Sequence, residues 1–437
     1  MSDLARFLST EVGPLGERVE ELVRSHAQLW QNAPAEASPP RKRYTRAEKR
    51  AVERELSGLV ARLSSEEVRT AFLEGSLDAA RLEGLSVDLR PAFRRLLRLI
   101  DLPLEAVYDA RFVDSTRRFL QTARDFDPGL SLGSAFQALR NVWIMNSLQF
   151  DLGRPVEHTD AIFAYSMVYP YLDNMLDDAR TAEAGKLAHV AKLKSWLEGD
   201  ARPADSPQQE KLLALVRLIE GCFPRAAFPG VYRSLLAIYN AQVKSLLQQR
   251  PDAAPSKDEI LSISLEKGGT SVLADGYLVA GSLEPPDEEF CFGFGTFLQM
   301  ADDLQDIAED SRCGHRTLFS DGGDGPLDLT ALRLESYLAA VLEKARLGTA
   351  PGRSALCDAI GGGLSLMFRE SVGKQAGYFR GGFVRRAKTA FPVRFSYLRK
   401  LRRRLKDKMP VGCERLADLD PGLVALMALS SRAFALD

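Results

Sequence analysis

Histidine and cysteine are scarce in this sequence, with four and five respectively among 437 residues. Cys222, Cys291, Cys313, Cys357 and Cys413 lie far apart and form no C-x-x-C pair, which removes a zinc site and a disulfide framework and leaves reduced thiols as the expectation. No two histidines stand at helical spacing, so a histidine-held metal is not expected either. Long apolar runs are missing as well. No stretch approaches the roughly 18 uncharged residues of a membrane span, and the N-terminus MSDLARFLSTEVG lacks the apolar core of a signal peptide. A soluble, cytoplasmic chain is the expectation. Charge of one sign is not in excess: 58 basic residues face 59 acidic ones, so nothing in the total calls for nucleic acid.

Strand-like alternation is nearly absent too, and what fills the chain is helical periodicity. Ala47–Leu63, Pro91–Ile100, Lys211–Glu220, Val231–Gln249 and Ala331–Ala345 place apolar residues three and four apart with charges between them. Glycine and proline fall between such blocks, at Pro224–Gly230, Pro251–Pro255 and Asp321–Pro326. The predicted class is all-α, with no fixed-period repeat. Breaks at Asn32–Arg43 (NAPAEASPPRKR) and Asp127–Gly129 suggest an N-terminal helix over 1–31, a linker over 32–44, a helical extension over 45–129 and a larger α-domain over 130–437.

Two acidic helix ends stand out. Tyr171–Asp178 (YLDNMLDD) closes an apolar run, Ala161–Leu172, interrupted by Pro170. Asp173 and Asp177 are one turn apart on its face, where like charges repel unless a cation sits between them. About 130 residues later Phe297–Asp306 (FLQMADDLQD) closes a second apolar run, and Asp302, Asp306 and Asp310 are expected to continue one stripe beside Asp303. Hard carboxylate oxygens without His or Cys suit Mg²⁺, which is held by a few carboxylates together with substrate phosphates. The bland reading of either end is a solvated acidic cap.

Gln299–Asp306 (QMADDLQD) resembles the second aspartate-rich motif of trans-isoprenyl diphosphate synthases, Q-x-x-D-D-x-x-D. Lys267–Ser271 (KGGTS) followed by Ala280-Gly281 resembles their Lys-Thr-Ala segment and Ala-Gly turn. Gln242 resembles their Gly-Gln position, and Gly314–Leu318 (GHRTL), with Arg316, loosely resembles Gly-Lys-x-Thr-Leu. Asp173-Asn174-x-x-Asp177 is similar to the first motif with Asn in place of the second Asp, and YLDNMLDD is closer to the large bacterial terpene synthases of the tetraprenyl-curcumene synthase group. The matches span roughly Gln137–Leu318. The resemblance implies a class I isoprenoid synthase helical bundle. Asp173, Asp177, Asp302, Asp303 and Asp306 would be metal ligands and catalytic residues, with three Mg²⁺ ions against a prenyl diphosphate. Lys267, Arg140, Arg180, Arg316 and Gln299 would bind the diphosphate.

Prenyl elongation in that family needs a second anion site, built from a Gly-Lys-Arg…Arg-Pro segment and an Arg-Arg pair. Here one Arg, Arg140, stands on the early helix, and one, Arg180, follows Asp178. A terpene synthase that ionises one prenyl diphosphate is therefore preferred to a chain-elongating prenyltransferase, with a non-catalytic helical partner subunit as the non-enzyme reading. Lys267 is alternatively a surface lysine at a helix break, Arg140 a structural ion pair, and Arg180 a balance for the acids. Aromatic side chains at Phe163, Tyr165, Tyr169, Tyr171, Phe294 and Phe297 fit either carbocation stabilisation or core packing. The run from Tyr378 to Lys408 is basic and amphipathic: a solvated helix face, or a surface for peripheral membrane contact. Expected partners are the prenyl diphosphate, that membrane surface and a second copy of the chain in a homodimer, without nucleic acid.

Overall fold

The structure is a computed structural model that describes residues 6–35, 42–63, 91–103, 109–177, 183–249, 255–321 and 325–408. Among the described residues there is no strand, as the periodicity predicts. The helices are α1 (Gly13–Asn32), α2 (Arg46–Leu63), α3 (Ala110–Phe126), α4 (Leu132–Asp151), α5 (Asp160–Asp177), α6 (Glu183–Leu197), α7 (Pro207–Cys222) and α8 (Pro229–Ser245). They continue as α9 (Lys257–Ala280), α10 (Pro285–Gln305), α11 (Ile307–Cys313), α12 (Asp328–Ala345), α13 (Arg353–Lys374), α14 (Gly381–Ala390) and α15 (Phe395–Lys408). A further helical stretch covers residues 91–99.

Local chemistry explains many of the boundaries. α9 starts on a capping box in which the Ser256 side chain accepts from the Glu259 amide while Glu259 reaches back. It stops at Gly281, whose φ of 79° excludes a comfortable Cβ. Ser206 caps α7, Asp109 caps α3, and Pro207, Pro229 and Pro285 occupy first-turn positions where no amide bond is lost. The break at Asp127–Gly129 falls between α3 and α4, and Pro224–Gly230 falls at the α7–α8 turn.

The chain divides into two compact units, neither continuous in sequence. The first takes residues up to Ala37, Arg140–Pro155 and Thr159–Arg353. Here the N-terminal helix is no appendage, because α1 packs on α8, α9, α10 and α12. It buries Leu15, Val19, Leu22, His26 and Trp30 along one stripe. α9 and α10 form the centre, flanked by α8 on one and α12 on the other; α5 packs on α7 and α9, and α6 on α7 and α8.

Polar groups inside this unit are paired with care. His26 Nδ1 lies 2.7 Å from the Tyr337 hydroxyl, and Arg18 donates to Glu288 at 3.0 Å. Arg353 donates to both oxygens of Asp151, at 2.8 and 2.7 Å, and to Asp287 at 2.7 Å, with its guanidinium 4.2 Å from the Phe290 ring centre. Deleting one partner of such a buried set strands a charge, at a cost of about 3–5 kcal/mol. Asp275 is fully buried: Asn141 donates to its Oδ1 at 2.9 Å and also to Ser166 at 3.2 Å.

The second unit comprises residues 38–139, Val156–His158 and the chain from Ser354 on, so the C-terminal helices pack with the segment read as an extension. Its apolar centre gathers Val52, Leu56 and Leu59 of α2, Leu96, Leu97, Ile100 and Leu102, and Phe391, Val393, Leu398 and Leu401. Arg394 grips the buried Glu53 through its backbone amide and guanidinium, at 2.8 and 2.6 Å. Lys42 and Tyr44, inside the stretch read as linker, are bound in place: Lys42 donates to the Leu99 carbonyl, and Tyr44 donates to those of Ile100 and Thr389.

Asp275 generates a measurable consequence. Burial pushes its carboxyl well above the usual range, against the Asn141 hydrogen bond. The folded group stays protonated while the unfolded one ionises, so its contribution is lost as pH rises past the unfolded value. Asp275→Asn should therefore gain stability relative to wild type as pH rises above about 4, read as a widening difference in Tm. A difference independent of pH would show that Asp275 is ionised in the fold.

Candidate functional site

α9 and α10 run antiparallel, in a register written by glycines. A Cβ on Gly295 would stand 2.1 Å from the Gly268 carbonyl oxygen, and one on Gly268 would stand 2.6 Å from Gln299 Cβ. A Cβ on Gly269 would stand 2.4 Å from the Phe292 ring. Hydrogen bonds extend the pairing in both directions. Thr296 donates to the Leu265 carbonyl at 3.3 Å, and Tyr277 donates to Glu288 at 2.7 Å. The Lys267-Gly-Gly segment is thus a helix-crossing surface inside an unbroken α9, and the alternative of a lysine at a helix break does not hold.

This register sets Lys267 level with the acidic end of α10. Asp303 is 4% exposed; Gln299 Nε2 donates to its Oδ1 at 2.9 Å, and Ser264 Oγ lies 3.5 Å from its Oδ2. Burial pushes the Asp303 carboxyl up to about 7, helped by the charges of Asp302 and Asp310 and opposed by the Gln299 hydrogen bond and the charge of Lys267. Asp302 is exposed and Asp306 half-buried. The expected single stripe through Asp302, Asp306 and Asp310 is bent: α10 ends at Gln305, Asp306 caps α11 with φ −107° and ψ 17°, and Asp310 lies in that second, short helix. His315 Nδ1 approaches Asp310 at 3.3 Å.

Beyond α11 the chain is stapled back on α8's end. The Arg316 amide donates to the Gln248 carbonyl at 3.0 Å and Gln248 Nε2 donates to the Arg316 carbonyl at 2.9 Å, leaving Arg316 half-buried. α9 is also the helix that meets α5: Tyr165 donates to the Ser271 carbonyl at 3.4 Å, one turn past Lys267, and Ser166 shares Asn141 with Asp275. Pro170 lies within α5, and Asp173 and Asp177 form its last turn. The side chains of Asp173 and Asp177, and all of Asp178 and Arg180, lie outside the described residues. Arg140 is exposed on α4. Phe163, Tyr165, Phe294 and Phe297 are buried, and Tyr171 is half-buried with Lys211 Nζ 5.5 Å from its ring centre.

The donor set is compatible with Mg²⁺. That ion uses one or two carboxylates when phosphate and water complete its shell, and the like charges of Asp302 and Asp310 acting on Asp303 are what a divalent cation relieves. Among the described residues no three His, Cys, Asp or Glu side chains converge as a closed cage. Ser264, one turn before Gly268, carried no signal in the sequence, because it is placed by a contact from a distant helix, whereas Tyr165 stood among the aromatic candidates.

The glycine seam gives a direct test. Gly295→Ala should lower stability by about 1–3 kcal/mol, the usual effect of overpacking a core. Gly58→Ala, where nothing lies within 4 Å of the new Cβ, should raise stability by roughly 0.5–1 kcal/mol through helix propensity. Thermal melts of both variants decide it, and a neutral Gly295→Ala would mean that α9 and α10 are not in backbone contact.

No protein-family model, curated protein or solved structure matches this chain.

Proposed function

We propose that this chain is a class I terpene synthase, which ionises a prenyl diphosphate with Mg²⁺ and releases diphosphate. The observation that carries the reading is the placement of Lys267 on α9 near the acidic end of α10, where its charge and that of Asp302 act on the buried Asp303. A cation beside a carboxylate cluster is the donor set that a diphosphate with its metals requires: the acids take the metal side and the lysine a phosphate oxygen. Mg²⁺, when bound, neutralises the leaving diphosphate.

Each residue then has a role of its own. Asp302 and Asp306 present oxygens to the metal side. Gln299 and Ser264 orient Asp303, whose carboxyl is otherwise held near the middle of the pH range by burial. Asp173 and Asp177, on α5, supply the opposing ligands in this reading, and α9 is the helix that both motif-bearing helices pack against. Arg140 and Arg180 are single cations where elongating enzymes carry several, which supports ionisation without condensation.

Mg²⁺ with inorganic diphosphate should raise Tm for the wild type and not for Asp302→Ala, whose own fold should be intact because Asp302 is exposed. Incubation with geranyl, farnesyl, geranylgeranyl and geranylfarnesyl diphosphates should release free diphosphate without isopentenyl diphosphate. Incorporation of labelled isopentenyl diphosphate into a longer chain would reassign the protein as a prenyltransferase. Absence of both stabilisation and turnover would favour the non-catalytic partner subunit.

A further inference from the structure

From Glu370 to Asp407 the sequence carries twelve Lys and Arg and no acid between. In the second unit this run is joined by another basic stretch that lies more than three hundred positions away. The Tyr44 amide donates to the Thr389 carbonyl at 2.9 Å, and the Lys49 ammonium donates to the Lys388 carbonyl. The start of α2 is thereby held beside the end of α14. Arg43, Arg46 and Arg50 on one side and Arg385 and Lys388 on the other are all exposed.

The acids along this seam are occupied. Glu48 receives the Thr45 amide at 2.8 Å and the Thr45 hydroxyl at 2.7 Å as a helix cap, and Glu53 is buried under Arg394. At the far end of α14 the surface changes character. Tyr378 is 38% exposed, Phe383 is half-buried and stacks on Phe379 with centroids 5.4 Å apart, and Arg380 is exposed between them. Gly377, Gly381 and Gly382 have open space where a Cβ would stand.

We propose that the second unit docks on an anionic lipid bilayer through this face, with the α2–α14 cations toward phosphate headgroups and Tyr378 at the interfacial level. The partner is chosen by chemistry. Polybasic segments bind negatively charged leaflets, and tyrosine is enriched at the headgroup depth. The exposed tyrosine beside the cations is what favours a bilayer over a polynucleotide, which the charge by itself would attract equally. Among the described residues no helix is long and apolar enough to cross a membrane, so the contact is peripheral. Among the described residues of this unit Tyr378 is the one exposed large hydrophobic side chain, so the contact is electrostatic and reversible.

The full chain should co-sediment with vesicles of phosphatidylcholine plus phosphatidylserine and not with phosphatidylcholine alone, and added salt should release it. The double variant Arg385→Gln/Lys388→Gln should partition about thirtyfold more weakly, from the ~1 kcal/mol that each cation contributes near an anionic surface. Arg24→Gln/Lys257→Gln, which neutralises exposed cations of the first unit, should bind as wild type. Melting curves establish that all variants are folded, and Arg46→Gln/Arg50→Gln on α2 repeats the test should the α14 pair destabilise the unit. Equal sedimentation with neutral and anionic vesicles, unchanged binding after both substitutions, or tight binding to single-stranded RNA with none to vesicles would overturn the proposal.

Discussion

Two helices can touch backbone to backbone only where neither carries a side chain in the way, and the α9–α10 pair is built on that constraint. Gly295 against the Gly268 carbonyl and Gly269 under Phe292 bring the two axes close along a long antiparallel contact. The remaining first-unit helices arrange themselves around this pair, with α8, α5 and α1 on α9, and α12 and α1 on α10. Once the axes are close, the register follows. Lys267 and Asp303 face one another's charge because the glycines one position later and two turns earlier have already met.

Dense apolar packing around such a pair would tolerate many sequences, whereas buried polar groups tolerate few. Arg353 ties the end of α4 to the first turn of α10 through Asp151 and Asp287. Glu289 and His26 do the same for α1. Burial opposes ionisation of Glu289, yet His26 and Lys344 lower its carboxyl to about 2. Its contribution is complete above the unfolded carboxylate range and fades as pH falls toward that value. Such groups are satisfied in one arrangement of helices, so they select the arrangement that the apolar core permits.

Charge is handled differently in the second unit. There the apolar cluster of α2, residues 92–102 and the segment around α15 is compact, and nearly every basic residue of the C-terminal run whose side chain is described stays at the surface. Arg394 stays exposed too while its guanidinium holds the buried Glu53, and Arg386 is the half-buried member, over the Phe383 ring. The same long aliphatic stems that cover apolar surface present their charges outward, and this is how a neutral chain comes to carry a strongly basic face.

Helix positions were legible in the sequence because their determinants are local: apolar periodicity at three and four, and glycine and proline between the blocks. The acidic helix ends and the lysine–glycine segment were visible for the same reason. Partnership was not. Nothing in Arg43–Arg50 points to Thr389, and nothing in Lys267-Gly-Gly names Gly295 as its opposite. The bend at Asp306, the burial of Asp303 beside an exposed Asp302, and the union of the C-terminal helices with α2 also required the tertiary structure. An α-helix satisfies its backbone within four residues of itself, so its own sequence suffices to draw it. Which faces then meet depends on shape and buried polar pairing between residues hundreds of positions apart, and only the folded chain brings those together.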